Sequence, residues 1–243
     1  MIAELVPLPA TGRVFRSTRR IRLSDRDAAG RLRLDSVARF LQDVAMDDVD
    51  ETGWGAPEHL WVMRHIRIEI VSPPIEDDYV ELATWCSGTA RVAAGRRMSL
   101  LGDSGGRIEL DSAWIHLGPD ARPARIDGFE QYAEAAGGHV VSTRLELQVP
   151  PTAEKRIPWP LRATDIDLLG HVNNAAYWHA VEERLLARDL DLRRPIRARL
   201  DHRHAIDFGD DVSLGEMIDD MRLGVTFNVG NVASAVAWIE TTW

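Results

Sequence analysis

The sequence predicts an α+β protein made of two tandem copies of one unit, each a long helix wrapped by a curved antiparallel sheet. Three observations predict it: an internal echo at a spacing of 140 residues, a helix-period segment after each copy of the echo, and a run of strand-period segments after each helix. The 243 residues are 45% hydrophobic and 28% charged, which is enough apolar material for one large core or two small ones.

Taken in order, Arg22, Asp25, Asp27 and Gly30 recur without a gap as Arg162, Asp165, Asp167 and Gly170, while Ser24/Thr164 and Leu32/Val172 match in kind. A short leading strand is expected ahead of each copy. After Gly30 the apolar Val37, Phe40, Leu41, Val44 and Ala45 recur at helical spacing, with Asp35 placed to cap the helix. Tyr177, Ala180, Val181 and Leu185 do the same after Asn173 and Asn174. Strands are predicted over Trp61–Val71, Tyr79–Ser87, Arg91–Leu101 and Ile108–Leu117, parted by Pro73 and Pro74, Ser87 and Gly88, and the Gly102–Gly106 turn. Ile196–Ile206, Val212–Asp219, Met221–Asn228 and Val232–Thr241 follow in the second half, with Gly230 and Asn231 as a turn. The resulting division is an N-terminal unit over 1–135, a linker over 136–155 within the connecting stretch from about Arg122 to Pro160, and a C-terminal unit over 156–243.

Charge and cysteine usage narrow the function class. A net charge of −9 argues against a general nucleic-acid binder, which needs a positive surface along the phosphates. No run approaches the ~18 apolar residues that span a bilayer, and the opening residues lack the layout of a secretory signal, so no membrane insertion and a cytoplasmic location are expected. The single cysteine, Cys86, excludes an internal disulfide and any multi-cysteine zinc site.

The densest polar cluster is Asp165, Asp167, Gly170, His171, Asn173 and Asn174, immediately ahead of the second helix. Gly170 permits a bend that other residues resist. Asn173 or Asn174 can cap the helix. The unpaired amides of the first turn, aided by the helix dipole, suit an oxyanion developing on a carbonyl. Asp167 and His171, four apart across the bend, can converge on one site: the carboxylate as general base on water or as nucleophile, the imidazole holding or polarising the reacting groups. The same residues can equally do no more than staple the turn.

The pattern Asp165, Asp167, Gly170, His171, Val172, Asn173, Asn174 and Tyr177 resembles the signature of hotdog-fold thioesterases. The chain from about residue 15 to 215 resembles the acyl-ACP thioesterases of bacteria and plants, which hold two hotdog units in one polypeptide. Further segments carry the likeness: Arg33–Ala45 with Gln42 and Asp43, Leu60–Ile70, Val80–Gly88 and Ser112–Ile115. The resemblance implies tandem hotdog units, hydrolysis of a fatty acyl thioester on acyl carrier protein or coenzyme A, and no metal or organic cofactor. It also implies a monomer that is an internal pseudo-dimer, or a homodimer, with Asp167 and His171 catalytic and Gly170, Val172 and Asn173 in support. Two departures stand out: Leu169 occupies the position of a catalytic Asn of plant members, and Ala205 aligns with their Glu. Asp27 falls on the Asp of single-hotdog enzymes but is followed by Arg31 where a histidine would stand, and is expected to be a structural relic. An acyl-CoA thioesterase and a non-catalytic acyl-thioester-binding protein are the rival readings; a hotdog dehydratase arranges its histidine and carboxylate differently.

Other features weigh less. Cys86, at a strand end without a local activator, is expected to be a buried inert thiol. His202 and His204, with Asp201 and Asp207, suggest metal ligands but lack a third convincing one, and a solvated strand face is the expectation. Arg13, Arg16, Arg19, Arg20, Arg22 and Arg26 form one basic run and Arg193, Arg194, Arg197, Arg199 and Arg203 another, where an acidic carrier can dock. Trp61, Trp85 and Trp114 belong either to an acyl pocket or to ordinary core.

Overall fold

Apolar periodicity dictates the elements. In helix α1 (Leu34–Glu51) the residues Leu34, Val37, Ala38, Leu41 and Val44 are buried, the stripe expected of a helix lying on a sheet. In strand β2 (Leu60–Ser72) Met63, Ile66, Ile68 and Ile70 are buried, so one face of the strand meets the core. The structure is a computed structural model that describes residues 5–54, 60–151, 156–188, 192–219 and 222–241.

The first half continues from β1 (Val14–Arg20) through α1 and β2 to β3 (Tyr79–Ala90), β4 (Ala93–Gly102), β5 (Arg107–Leu117) and a single turn of helix, α2 (Glu130–Ala133). The second half repeats it with β6 (Ile157–Pro158), α3 (Asn174–Leu186), β7 (Ile196–His202), β8 (Val212–Asp219), β9 (Arg222–Val229) and β10 (Val232–Thr241). The ten strands of the described residues belong to one antiparallel sheet in the order β1-β3-β4-β5-β2-β7-β10-β9-β8-β6. Read outward from the β2–β7 seam, both halves have the same order, as expected of a repeated unit. The seam pairs His65 with Asp201 through to Ile70 with Ile196. No helix among the described residues is long and apolar enough to cross a membrane.

Three sequence expectations need adjusting. The strand from Ile196 ends at His202, because Arg203 and His204 both donate to Ser234 O and the chain leaves the ladder there. The strand expected from Met221 is described from Arg222, its first residue lying outside the described set. Asp35 does not cap α1: Arg33 is the N-cap residue, and Asp35 is fully buried inside the helix. There its carboxylate accepts from Arg33 Nε (2.7 Å) and lies 2.9 Å from His179 Nε2 of α3, with Arg39 as a third partner. Burial alone would favour the neutral acid, but hydrogen bonds from Arg33, His179 and Arg39 outweigh it and hold the carboxyl well below the usual carboxylate range. The two helices are thus joined by the Asp35–His179 contact as well as by packing, and this juxtaposition brings each half's loop against the other half's helix.

Candidate active site

The loop ahead of α3 is closed by its own backbone. Asp167 N donates to His171 O (2.8 Å) and Gly170 N to Asp167 O (3.1 Å); Gly170 sits at φ +82°, a conformation that L side chains resist. Asp167 Oδ1 accepts the N–H of Leu169 (2.8 Å) and of His171 (3.2 Å). Val172, buried, ties the loop to the sheet side by donating to Ile206 O at 2.9 Å. Asn173 is the N-cap of α3, its side chain accepting from Ala175 N at 2.8 Å. The amide of Asn174, first residue of the helix, has no hydrogen-bond partner among the described residues.

Asp167 borders a cavity of about 590 Å³. One face of α1 forms a wall with Gln42, Ala45, Met46 and Val49, and Cys86, Ala94, Gly95 and Arg96 of β3 and β4 form another. Trp54, Trp61, Trp114, Phe129 and Tyr132 supply aromatic surface, and Leu60, Ile166, Leu168, Leu169, Asn173 and Asn174 complete the lining beside Asp167. Arg96 does not present a bare charge there, since its guanidinium donates to the buried Asp48 (2.7 Å). Thus the first half contributes most of the cavity and the second half its acidic edge. Of the three tryptophans singled out in the sequence, Trp61 and Trp114 line this cavity, while Trp85 lies under the Arg97 guanidinium at 5.2 Å.

His171 lies on the same loop but is not part of the cavity lining. Its Nε2 is 3.5 Å from Asp207 Oδ1, and the two residues also form a backbone bridge. Asp207 therefore stands as the carboxylate beside His171, while Ala205, which aligns with the Glu of plant members, is exposed. Leu169, where plant members carry Asn, is part of the apolar lip. Behind the loop, Tyr177 is buried, and burial together with the charge of Asp167 pushes its hydroxyl up. Its ring meets His202 edge-on at 4.9 Å. His202 departs from the expected solvated face: its Nε2 is buried without a partner among the described residues, and burial, with Arg64 and His65 nearby, lowers the imidazole pKa to about 3. His204 is exposed and lies past the strand end.

Cys86 is buried, its thiol pushed up by burial and donating to Gly88 O, as expected of an inert thiol. The basic runs are largely engaged within the chain. Arg13 binds Asp48 and Glu51, Arg19 binds Asp47, and Arg26 donates to three backbone carbonyls. Arg197 and Arg199 meet Glu240, and Arg203 donates to Leu147 O.

The first-half loop has the same backbone and different chemistry. Asp27 N donates to Arg31 O, Gly30 N to Asp27 O, and Gly30 is at φ +84°. Arg31, almost wholly buried, joins Asp27 (3.1 Å) to Glu182 of α3 (2.7 Å), and the second oxygen of Glu182 takes the amide of Leu34 at 2.6 Å. Asp27, Arg31, Glu182 and the Leu34 amide are thus bonded to one another within the protein.

Known proteins give the arrangement a context. The chain is 30% identical over 239 residues to an uncharacterized protein of Mycobacterium tuberculosis (strain H37Rv), covering 97% of this chain and 95% of that protein. It is 24% identical over 231 residues to oleoyl-acyl carrier protein thioesterase 2 of Arabidopsis thaliana, covering 83% of this chain and 63% of that one. The 12:0-ACP thioesterase of Umbellularia californica superposes with a TM-score of 0.77 at 17% identity, over 94% of this chain and 97% of its own. An acyl-ACP thioesterase of Bacteroides thetaiotaomicron superposes with a TM-score of 0.77 at 16% identity, over 94% and 98%; at these identities the likeness establishes the double-hotdog fold. The acyl-ACP thioesterase N-terminal domain model matches residues 12–127 and the C-terminal domain model residues 149–243. With both models matching in tandem, and in the order in which the structure repeats its unit, the chain belongs to the acyl-ACP thioesterase family, whose activity is the hydrolysis of acyl thioesters.

Proposed function

We propose that this chain hydrolyses fatty acyl groups from acyl carrier protein, releasing the free acid and the carrier thiol, with the N-terminal unit (1–135) holding the acyl chain and the C-terminal unit (156–243) carrying the chemistry. The observation that supports it most is the position of Asp167, a carboxylate at the edge of a cavity whose walls are mostly aliphatic and aromatic. Such walls favour an acyl chain by apolar burial.

Asp167 takes a proton from water as the water oxygen bonds to the thioester carbon. The carbonyl electrons move to oxygen, which lies against the unpartnered amide at the start of α3. They return as the carbon–sulfur bond breaks, and the proton passes to the departing thiolate. His171, beside Asp207, orients the intermediate, Gly170 and Val172 hold the loop, and Asn173 fixes the helix start. No cofactor enters these steps. The net charge and the single cysteine fit a cytoplasmic setting.

The test is a hydrolysis panel over acyl length on matched acyl-ACP and acyl-CoA substrates. Release from acyl-ACP at a higher kcat/KM than from acyl-CoA, lost in Asp167→Asn, is the expected result. Preference for the coenzyme A series would reassign the carrier. Binding without release, unchanged in Asp167→Asn, would make the chain an acyl-thioester-binding protein.

A further inference from the structure

The internal repeat exposes a polar side chain at the site that the loop sequence does not contain. Adding 140 to a residue number carries Asp27 onto Asp167, Arg31 onto His171, Leu34 onto Asn174 and Gln42 onto Glu182. Since α1 and α3 pack on each other, each loop is completed by the helix of the opposite half. The first loop meets Glu182, and the second shares its cavity with Gln42.

The two sets differ in one respect. In the first half the four positions are bonded shut: Glu182 takes the Leu34 amide at 2.6 Å and the Arg31 guanidinium at 2.7 Å, and Arg31 holds Asp27. In the second half Gln42, Asn174 and Asp167 all border the cavity. Neither the Gln42 carboxamide nor the Asn174 N–H has a hydrogen-bond partner among the described residues.

We propose that Gln42 is a further catalytic residue: its side-chain N–H and the backbone N–H of Asn174 together hold the thioester oxygen as negative charge develops on it. The closed half shows what such a grip looks like. An oxygen of Glu182 sits on the first amide of α1, as the substrate oxygen would sit on the first amide of α3. The residue types fit the two outcomes. A carboxylate at 182 claims the helix amide and the guanidinium permanently, whereas a carboxamide at 42 carries no charge to repel an oxyanion and offers a donor to it. Gln42 thereby supplies, from the other half of the chain, a polar group to a cavity in which Leu169 offers none. The proposal rests on the thioesterase reading for its chemistry, and the experiment separates the two.

Gln42→Ala, Gln42→Glu and Asp167→Asn are assayed on the best thioester of the panel, with folding of each checked by circular dichroism and Tm. Gln42→Ala is expected to lower kcat by about 10²-fold with KM little changed, the cost of one oxyanion donor. Gln42→Glu should be slower still, because it installs the counterpart of Glu182 on the Asn174 amide. A structural role gives the opposite order, since Glu matches the shape of Gln better than Ala does. Wild-type kcat in Gln42→Ala, or Gln42→Glu more active than Gln42→Ala, overturns the proposal.

A second readout does not need turnover. Acyl-CoA labelled with ¹³C at the carbonyl, bound to Asp167→Asn, is expected to show a downfield carbonyl resonance that returns toward the free value when Gln42→Ala is added. If the unaltered chain hydrolyses no thioester, the hydrolysis reading falls and this shift alone decides Gln42. A bound resonance indifferent to Gln42, or no bound resonance, overturns it.

Discussion

Asp27 and Asp167 occupy the same turn, with the same glycine at positive φ three residues on, yet Asp167 lines the cavity described above and Asp27 does not. The difference lies in one neighbour: Arg31 neutralises Asp27 from within, while the equivalent His171 faces Asp207. Asp167→Asn is therefore expected to lower kcat by about 10²- to 10⁴-fold, the range for a general base. Asp27→Asn should leave kcat near wild type while costing about 1–3 kcal/mol in urea-unfolding stability, because it weakens a buried, charge-assisted contact. Equal kinetic losses in the two variants would sink the one-site reading. The legibility of the site follows the same local logic. Asp167, Gly170, His171 and Asn173 are neighbours in the chain, so their shared loop could be read directly from spacing, whereas His171 faces Asp207 and lies outside the cavity lining. Gln42 and Asp207 reach the site only through helix pairing and through the path of the chain after β7. Gln42 does stand at the repeat position of Glu182, a signal present in the sequence but without meaning until the helices are known to pack.

At the scale of elements, helical and strand periods translated well because each helix and strand has one face on the core. Where charge rather than apolarity sets the structure, the pattern misled. Asp35 has the residue type and place of a cap, but Arg33, Arg39 and His179 draw it into the α1–α3 contact, the last of them from the other half of the chain. Asp35→Ala is expected to cost about 3–5 kcal/mol, since it leaves cations around a fully buried gap. The sign of its pH dependence follows from its depressed folded pKa: the stabilisation is present above the unfolded carboxyl value near 3.8 and is lost as pH falls below it. Urea titrations of wild type and variant should thus converge only in strong acid; a constant gap down to the lowest pH reached would refute the assignment. The cap of α3 is a smaller term. Asn173→Ala should cost about 1 kcal/mol of stability and, by loosening the start of α3, lower kcat as well.

Across the whole molecule the β2–β7 seam makes one sheet of two halves, and β7 lies between β2 and β10 with no free edge. The halves share one buried apolar core, so unfolding is expected in a single transition rather than unit by unit. His202 sits at the end of β7, its backbone carbonyl held by Arg64 (2.8 Å) and its ring on Tyr177. Strand, helix and seam thus meet at an imidazole kept neutral by burial, with Arg64 and His65 adding to that effect. Its folded pKa of about 3 lies below the ordinary 6.5. Between these values the unfolded chain takes up a proton that the folded chain refuses. Stability contributed here is therefore complete above about pH 6.5 and declines as pH falls toward 3, by up to about 1.4 kcal/mol per pH unit. This window lies above that of Asp35, so the two effects can be separated. His202→Phe keeps an aromatic ring against Tyr177 and removes the titration. Its urea midpoint should fall less steeply than wild type between pH 6.5 and 4, still in one transition; parallel curves would show that the imidazole is protonated in the folded protein, and two resolved transitions would show that the seam does not couple the halves.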